Sequence, residues 1–239
     1  MNQTTAAHCH TGTKADTICG SRYKARHATG HLDFAEQLNT MQRSATPSRD
    51  AVPPVSSDLD LLILVDSADN PIGHLDKAGC HDAAGILHRA FSLFIFNSRG
   101  ELLLQQRAFG KRLWPGYWSN SCCSHPRVGE SMELAVARRL AEELSLVTTL
   151  SFVYKFEYHA RFNDVGSEHE LCSVYIGFAD QEPDVHPEEV AAWRWLEPEA
   201  IDQELADSPG TFTPWFRLEW LALQRDHFHR LQFPARGAD

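Results

Sequence analysis

Between Glu130 and Leu144 the apolar residues change their spacing. Leu134, Ala137, Leu140, Ala141 and Leu144 recur at i, i+3 and i+4, with no glycine or proline among them. That is the stripe of an amphipathic helix, which has to lie against an apolar surface. Ser131 is placed to cap it, and Glu130 and Glu133 suit its positive end. The flanking segments read as strands. Leu59–Val65 is a buried strand stopped by Asp69-Asn70-Pro71, and Ala90–Phe96 runs through an Asn97-Ser98-Arg99-Gly100 hairpin turn into Glu101–Arg107. Trp114-Pro115-Gly116 turns the chain again. Beyond the helix, Thr149–Phe162 and Leu171–Phe178 are strands joined by a polar turn containing Asn163-Asp164-Val165-Gly166, and Val190–Leu196 is a further short strand. Pro198 starts a helix, and the stretch from Pro214 to about Phe228 is helical again. Strands interspersed with a few helices predict an α+β or α/β sandwich.

Residues 1–57 share none of this periodicity. They carry six basic residues against four acidic ones, a charge of +2 in a chain whose total is −10, and end in a stretch rich in proline and serine. The expectation is a disordered N-terminal extension, 1–57, before a folded domain, 58–239. Met41 is a candidate translation start within the extension. His8, Cys9, His10 and Cys19 lack finger spacing and read as incidental to a polar tail. No run reaches the roughly 18 apolar residues of a membrane span, and the N-terminus lacks the pattern of a secretory signal. The acidic balance argues against a general nucleic-acid binder. Six cysteines, two of them adjacent, fit free thiols in a reducing cytoplasm rather than a disulfide framework.

Several groups carry chemistry. In Glu168-His169-Glu170, strand alternation sends both carboxylates to one face and the imidazole to the other. Two acids on one face need either water or a cation. His81 and His88 lie seven apart, with Gly85 making a single helix doubtful, and His125 follows Cys123 by two. Three imidazoles and two carboxylates would suit Mn²⁺, Mg²⁺ or Zn²⁺, although spacing alone does not bring them together. Arg139 and Glu143 are i, i+4 neighbours that either pair as ordinary surface charges or hold a phosphate and a cation respectively. Lys77, Arg107, Lys111 and Arg112 are either an anion pocket or plain surface charge.

Taken together, Trp114 to Pro126 (WPGYWSNSCCSHP), the Glu168-His169-Glu170 step followed by Cys172, Thr213-Pro214-Trp215 and the paired His81 and His88 resemble the type I isopentenyl-diphosphate isomerase family, built on the Nudix fold. The similarity runs from about Leu59 to Trp220. Against the Nudix helix pattern G-x5-E-x7-R-E-x-x-E-E-x-G, Glu130 and Arg138 align, Ser124 and Ser145 replace the glycines, Arg139 replaces an acid, and Glu142 and Glu143 remain. Losing one acid of that helix argues against a hydrolase.

The resemblance implies an α+β fold, a Nudix-like α/β/α sandwich with a mixed sheet, and an enzyme of isoprenoid biosynthesis that interconverts isopentenyl and dimethylallyl diphosphate. Its chemistry needs a proton added on one side of a five-carbon unit and another removed from the far side. By match to the family, Cys123 and Glu170 are the two acid–base groups, and Tyr158 assists Glu170. Trp215 faces cationic character in the hydrocarbon. His81, His88, His125, Glu168 and Glu170 hold Mn²⁺, Mg²⁺ or Zn²⁺, while Glu143 contacts Mg²⁺ carried by the diphosphate. Lys77, Arg107, Lys111 and Arg139 anchor the substrate, and Cys122 is left a structural role. The expected partner is a small diphosphate, with neither nucleic acid nor membrane insertion; the oligomeric state is left open. The rival readings are a Nudix hydrolase of nucleoside diphosphate derivatives and a metal-dependent binding module without turnover.

Overall fold

The computed structural model describes residues 55–228. The extension up to residue 54, including Met41 and the His8, Cys9, His10 and Cys19 group, lies outside them. The described part of the domain starts slightly earlier than the sequence reading placed it. Val55 and Ser56, assigned to the extension, lie against the domain: the Val55 carbonyl accepts from Arg139 at 2.8 Å, and the Ser56 hydroxyl accepts from the Lys77 ammonium at 2.6 Å.

Among the described residues, nine strands form one sheet. In chain order they are β1 (Leu61–Val65), β2 (Pro71–Asp76), β3 (His88–Phe96), β4 (Leu102–Arg107), β5 (Trp118–Ser119), β6 (Cys122–Ser124), β7 (Ser151–Phe162), β8 (Gly166–Phe178) and β9 (Val190–Leu196). The helices are α1 (Lys77–His81), α2 (Met132–Leu144), α3 (Pro198–Asp207) and α4 (Pro214–Ala222), the last running on into a π-helical turn, Leu223–His227. At the centre, β3 pairs in parallel with β8 and antiparallel with β6, and β8 pairs antiparallel with β7. Eight of the nine β3 residues are buried, all but Arg89, because both faces of this strand are covered.

Alternation along β3 divides the core. Phe91, Leu93 and Ile95 pack with Ala135, Val136, Leu140 and Leu144 of α2, whereas Ala90, Phe94 and Phe96 pack with Trp215, Phe216 and Trp220 of α4 and Ile201 of α3. Helices therefore cover both faces, giving the expected α/β/α sandwich. The Ser131 hydroxyl caps α2 by accepting from the Leu134 amide, and Ser145 ends it in the left-handed region at φ 54°, where a glycine is usual.

The sequence reading placed a turn at Asp69-Asn70-Pro71 but no strand after it. Asp66 does organise that turn, accepting from the Ala68 and Asn70 amides at 2.9 Å. The chain then returns as β2, an edge strand whose leading proline donates no ladder hydrogen bond and whose exposed Ile72, Gly73 and His74 carry no apolar alternation. The short helix α1 and the strands β5 and β6 were likewise too brief to show a period.

Gly166, at the start of β8, has a local role near the site. A Cβ there would lie 2.3 Å from the carbonyl oxygen of His81. Gly166→Ala is expected to destabilise the domain by about 1–3 kcal/mol and to displace the His81 backbone, read as a lowered Tm together with reduced bound metal.

Candidate active site

Five side chains from four parts of the chain converge at one end of the sheet. His81 ends α1, His88 opens β3, His125 follows β6, and Glu168 and Glu170 lie on β8. The parallel register sets His88 directly beside Glu170. Alternation on β8 sends Glu168 and Glu170 inward and His169 to the opposite face, where it meets Glu157 at 3.2 Å. His81 and His88 do not share a helix: a loop with Ala83 at φ 50° and Gly85 at φ 74° separates them. One donor atom from each of the five residues lies within 4.8 Å of the others. His81 Nε2 is 2.7 Å from Glu168, and His125 Nε2 is 2.8 Å from Glu170.

The hydrogen bonding around this cluster favours a cation. His81 Nδ1 donates to the Lys77 carbonyl at 2.6 Å and His88 Nδ1 to the Ile86 carbonyl at 2.7 Å. A carbonyl only accepts, so both rings carry a proton on Nδ1 and turn Nε2 to the centre. At His81 burial works to lower the imidazole, but the Glu168 carboxylate outweighs it and holds the ring above its usual range. His88 Nε2 is completely buried and has no hydrogen-bond partner. Burial holds His125 down to about 4, which keeps its ring neutral. Burial also works to raise the Glu170 carboxyl, but the hydrogen bond from His125 and the nearby imidazoles hold it well below the usual carboxylate range. A divalent ion would take the place of the protons these groups now share, and the donor set of three nitrogens and two oxygens fits one.

A cavity of about 730 Å³ opens beside this cluster and is lined by Cys123, Tyr158, Glu170 and Trp215 among others. Tyr158 donates to the second oxygen of Glu170 at 2.7 Å. The Trp215 indole N–H donates to Cys123 Sγ at 3.1 Å, and the thiol itself donates to the Asn120 side-chain oxygen at 2.8 Å. Burial pushes the Cys123 thiol up to about 12, so the group is protonated at neutral pH. The neighbouring Cys122 points through the sheet into the α2 core and is fully buried.

Basic residues ring the same cavity. Lys77, Arg107, Lys111 and Arg139 all line it. Arg107 donates to the carbonyls of Leu113 and Trp114, so the Trp114-Pro115-Gly116 turn wraps its guanidinium, which also lies 5.2 Å from the centre of the Trp215 ring. Lys111 pairs with Glu189. The Arg139–Glu143 pair is no surface contact: both side chains are buried, 2.5 Å apart, and Arg139 also reaches Glu142 at 3.1 Å and Glu189 at 3.2 Å. Burial pushes Glu143 up, whereas Lys111 and Arg139 overcome the same burial at Glu189 and hold it down to about 2. Arg112 sits at the rim and is tied to Asp82 and to the Ala78 and Val165 carbonyls, a brace for the His81 loop.

Residues 86–216 match the NUDIX domain family model. Over 175 residues the chain is 44% identical to Isopentenyl-diphosphate Delta-isomerase 1 of Photorhabdus laumondii, covering 72% of this chain and 99% of that protein. The Isopentenyl-diphosphate Delta-isomerase of Serratia proteamaculans is 46% identical over 157 residues, covering 66% of this chain and 87% of its own length. The chain belongs to the isopentenyl-diphosphate isomerase family. It is an enzyme of that family within the NUDIX superfamily. Among solved structures, a Deinococcus radiodurans protein superposes with a TM-score of 0.53 at 23% identity, covering 62% of this chain and 90% of its own, which speaks for the fold.

Within this isomerase-family domain, the pattern's Glu130 and Arg138 form a structural pair, with Arg138 Nε 2.6 Å from the Glu130 carboxylate. Arg139, standing where the pattern has an acid, turns into the cavity wall instead. Sequence reasoning missed Glu189, which pairs with two of the four basic residues of the cavity; it precedes β9 in a plain Pro-Glu-Glu-Val run that carries no signal. It also missed Glu219, fully buried on α4. Here the cue was present, an acid at i+4 from Trp215 on an apolar helix face.

Proposed function

We propose that this chain interconverts isopentenyl and dimethylallyl diphosphate by adding a proton to the terminal methylene carbon and removing one from the carbon two bonds closer to the diphosphate. The observation that carries the reading is the shared cavity: a protonated Cys123 and the Glu170–Tyr158 pair line one space whose outer wall is basic. Cys123 and Glu170 are the two groups that give and take the protons, each donating in one direction what it accepts in the other. Tyr158 holds the outer oxygen of Glu170. Trp215 steadies the thiol through its N–H and offers ring surface to the tertiary cationic character of the hydrocarbon, worth roughly 0.5–2 kcal/mol. Lys77, Arg107, Lys111 and Arg139 bind the diphosphate, which at Lys111 and Arg139 takes the place of Glu189, and Glu143 takes the Mg²⁺ that accompanies it.

His81, His88, His125, Glu168 and Glu170 would hold Mn²⁺, Mg²⁺ or Zn²⁺. Such an ion would supply Lewis acidity at the Glu170 carboxyl. The free thiols fit a cytoplasmic enzyme that supplies isoprenoid synthesis.

The test is to incubate the full chain and Mg²⁺ with isopentenyl diphosphate in deuterated water. Deuterium in the substrate pool and appearance of the allylic isomer are expected. Release of phosphate without either would favour a hydrolase, and bound metal without turnover would leave a binding module.

A further inference from the structure

Behind the cavity wall lies a buried acid that this scheme leaves unused. Glu219 has no exposed surface and, among the described residues, forms no ion pair. Its Oε1 accepts from the Cys172 thiol at 3.5 Å, and its Oε2 makes no hydrogen bond. The Cys172 thiol also contacts the Ser92 hydroxyl at 3.4 Å, and that hydroxyl donates to Cys123 Sγ at 3.8 Å. Ser92 and Cys123 are directly opposed across the β3–β6 pairing. None of Glu219, Ser92 or Cys172 lines the cavity. Trp215 and Glu219 occupy successive turns on one face of α4, and Trp215 holds the same sulfur from the other side at 3.1 Å.

We propose that Glu219 is a positioning residue for Cys123, fixing the wall of Ser92 and Cys172 against which the thiol rests. The inference depends on the isomerase reading for its kinetic consequence and on geometry alone for the placement of the sulfur. An unpaired carboxyl deep in an aromatic core costs stability, whereas a leucine of similar size would pack there without that cost. Burial pushes Glu219 up to about 8, so it stands as a neutral acid with one proton to donate and one oxygen to accept. An amide reproduces both capacities; an aliphatic chain reproduces neither.

Glu219→Gln, Glu219→Leu and Ser92→Ala are compared in the full chain loaded with Mg²⁺, by kcat, KM and bound metal. A sulfur displaced by a fraction of an ångström to about 1 Å is expected to lower kcat about 10- to 100-fold in Glu219→Leu and Ser92→Ala. KM and bound metal should hold, and Glu219→Gln should stay near wild type. Wild-type kcat in Glu219→Leu, an equal loss in Glu219→Gln, or a rise in KM that tracks the loss would each overturn the proposal. If Glu219→Leu fails to fold, Ser92→Ala decides in the same terms. If the wild type does not isomerise, the reading of function fails by itself, and the rate of Cys123 alkylation by iodoacetamide tests the placement. A rate altered in Glu219→Leu and Ser92→Ala but not in Glu219→Gln supports it; equal rates in all four proteins overturn it.

Discussion

Cys123→Ala is expected to lower kcat by about 10²–10⁴-fold, the range for losing a positioned acid–base group, while KM, bound metal and Tm stay close to wild type. The separation follows from where the sulfur sits. Its contacts are to Asn120, Trp215, Ser92 and Ser119, and none of these residues belongs to the histidine–glutamate cluster or the basic rim. Removing one half-buried sulfur from a cavity wall leaves little void for the core to fill. Steady-state kinetics, elemental analysis of the purified variant and a melting curve make the check; retained turnover would take Cys123 out of the chemistry.

Glu170→Gln is expected to act on both counts. One oxygen faces His125 at 2.8 Å and His88 at 3.7 Å, while the other accepts from Tyr158 at 2.7 Å. A neutral amide removes the negative charge that faces the histidines at one end and turns an N–H toward the tyrosine hydroxyl at the other. Metal affinity should fall by about 10–100-fold, and kcat by about 10²–10⁴-fold even when metal is resupplied. The comparison with Cys123→Ala is the informative one: both variants lose turnover, and only Glu170→Gln loses metal. If Glu170→Gln retained its metal, its double role would be undone.

What was legible in the chain was what lies close along it. The stripe from Leu134 to Leu144 and the Ser131 cap located α2 to within two residues, and alternation alone assigned Glu168 and Glu170 to one face with His169 opposite. The meeting of His88 with Glu170 was not legible in that sense, because it depends on parallel pairing between strands separated by the whole of α2 and β7, which no local period encodes. The family resemblance supplied those positions instead. Glu189 escaped both routes, being neither periodic nor part of the recognised motifs. The Arg139–Glu143 spacing was visible, but its burial, which turns a trivial contact into part of a cavity wall, comes only from packing α2 against the strands.

Cys122 and Cys123 are adjacent in β6 and look toward opposite sides of the sheet, one into aliphatic core and the other into the cavity. Asn120 pins this arrangement through the Leu93 and Cys122 carbonyls, and Ser121 through the Leu103 carbonyl and the Ile95 amide. The second thiol is thus no understudy for the first. Deleting or inserting a single residue in this stretch would exchange them and point the wrong sulfur at the substrate, so length changes here should be tolerated only in twos.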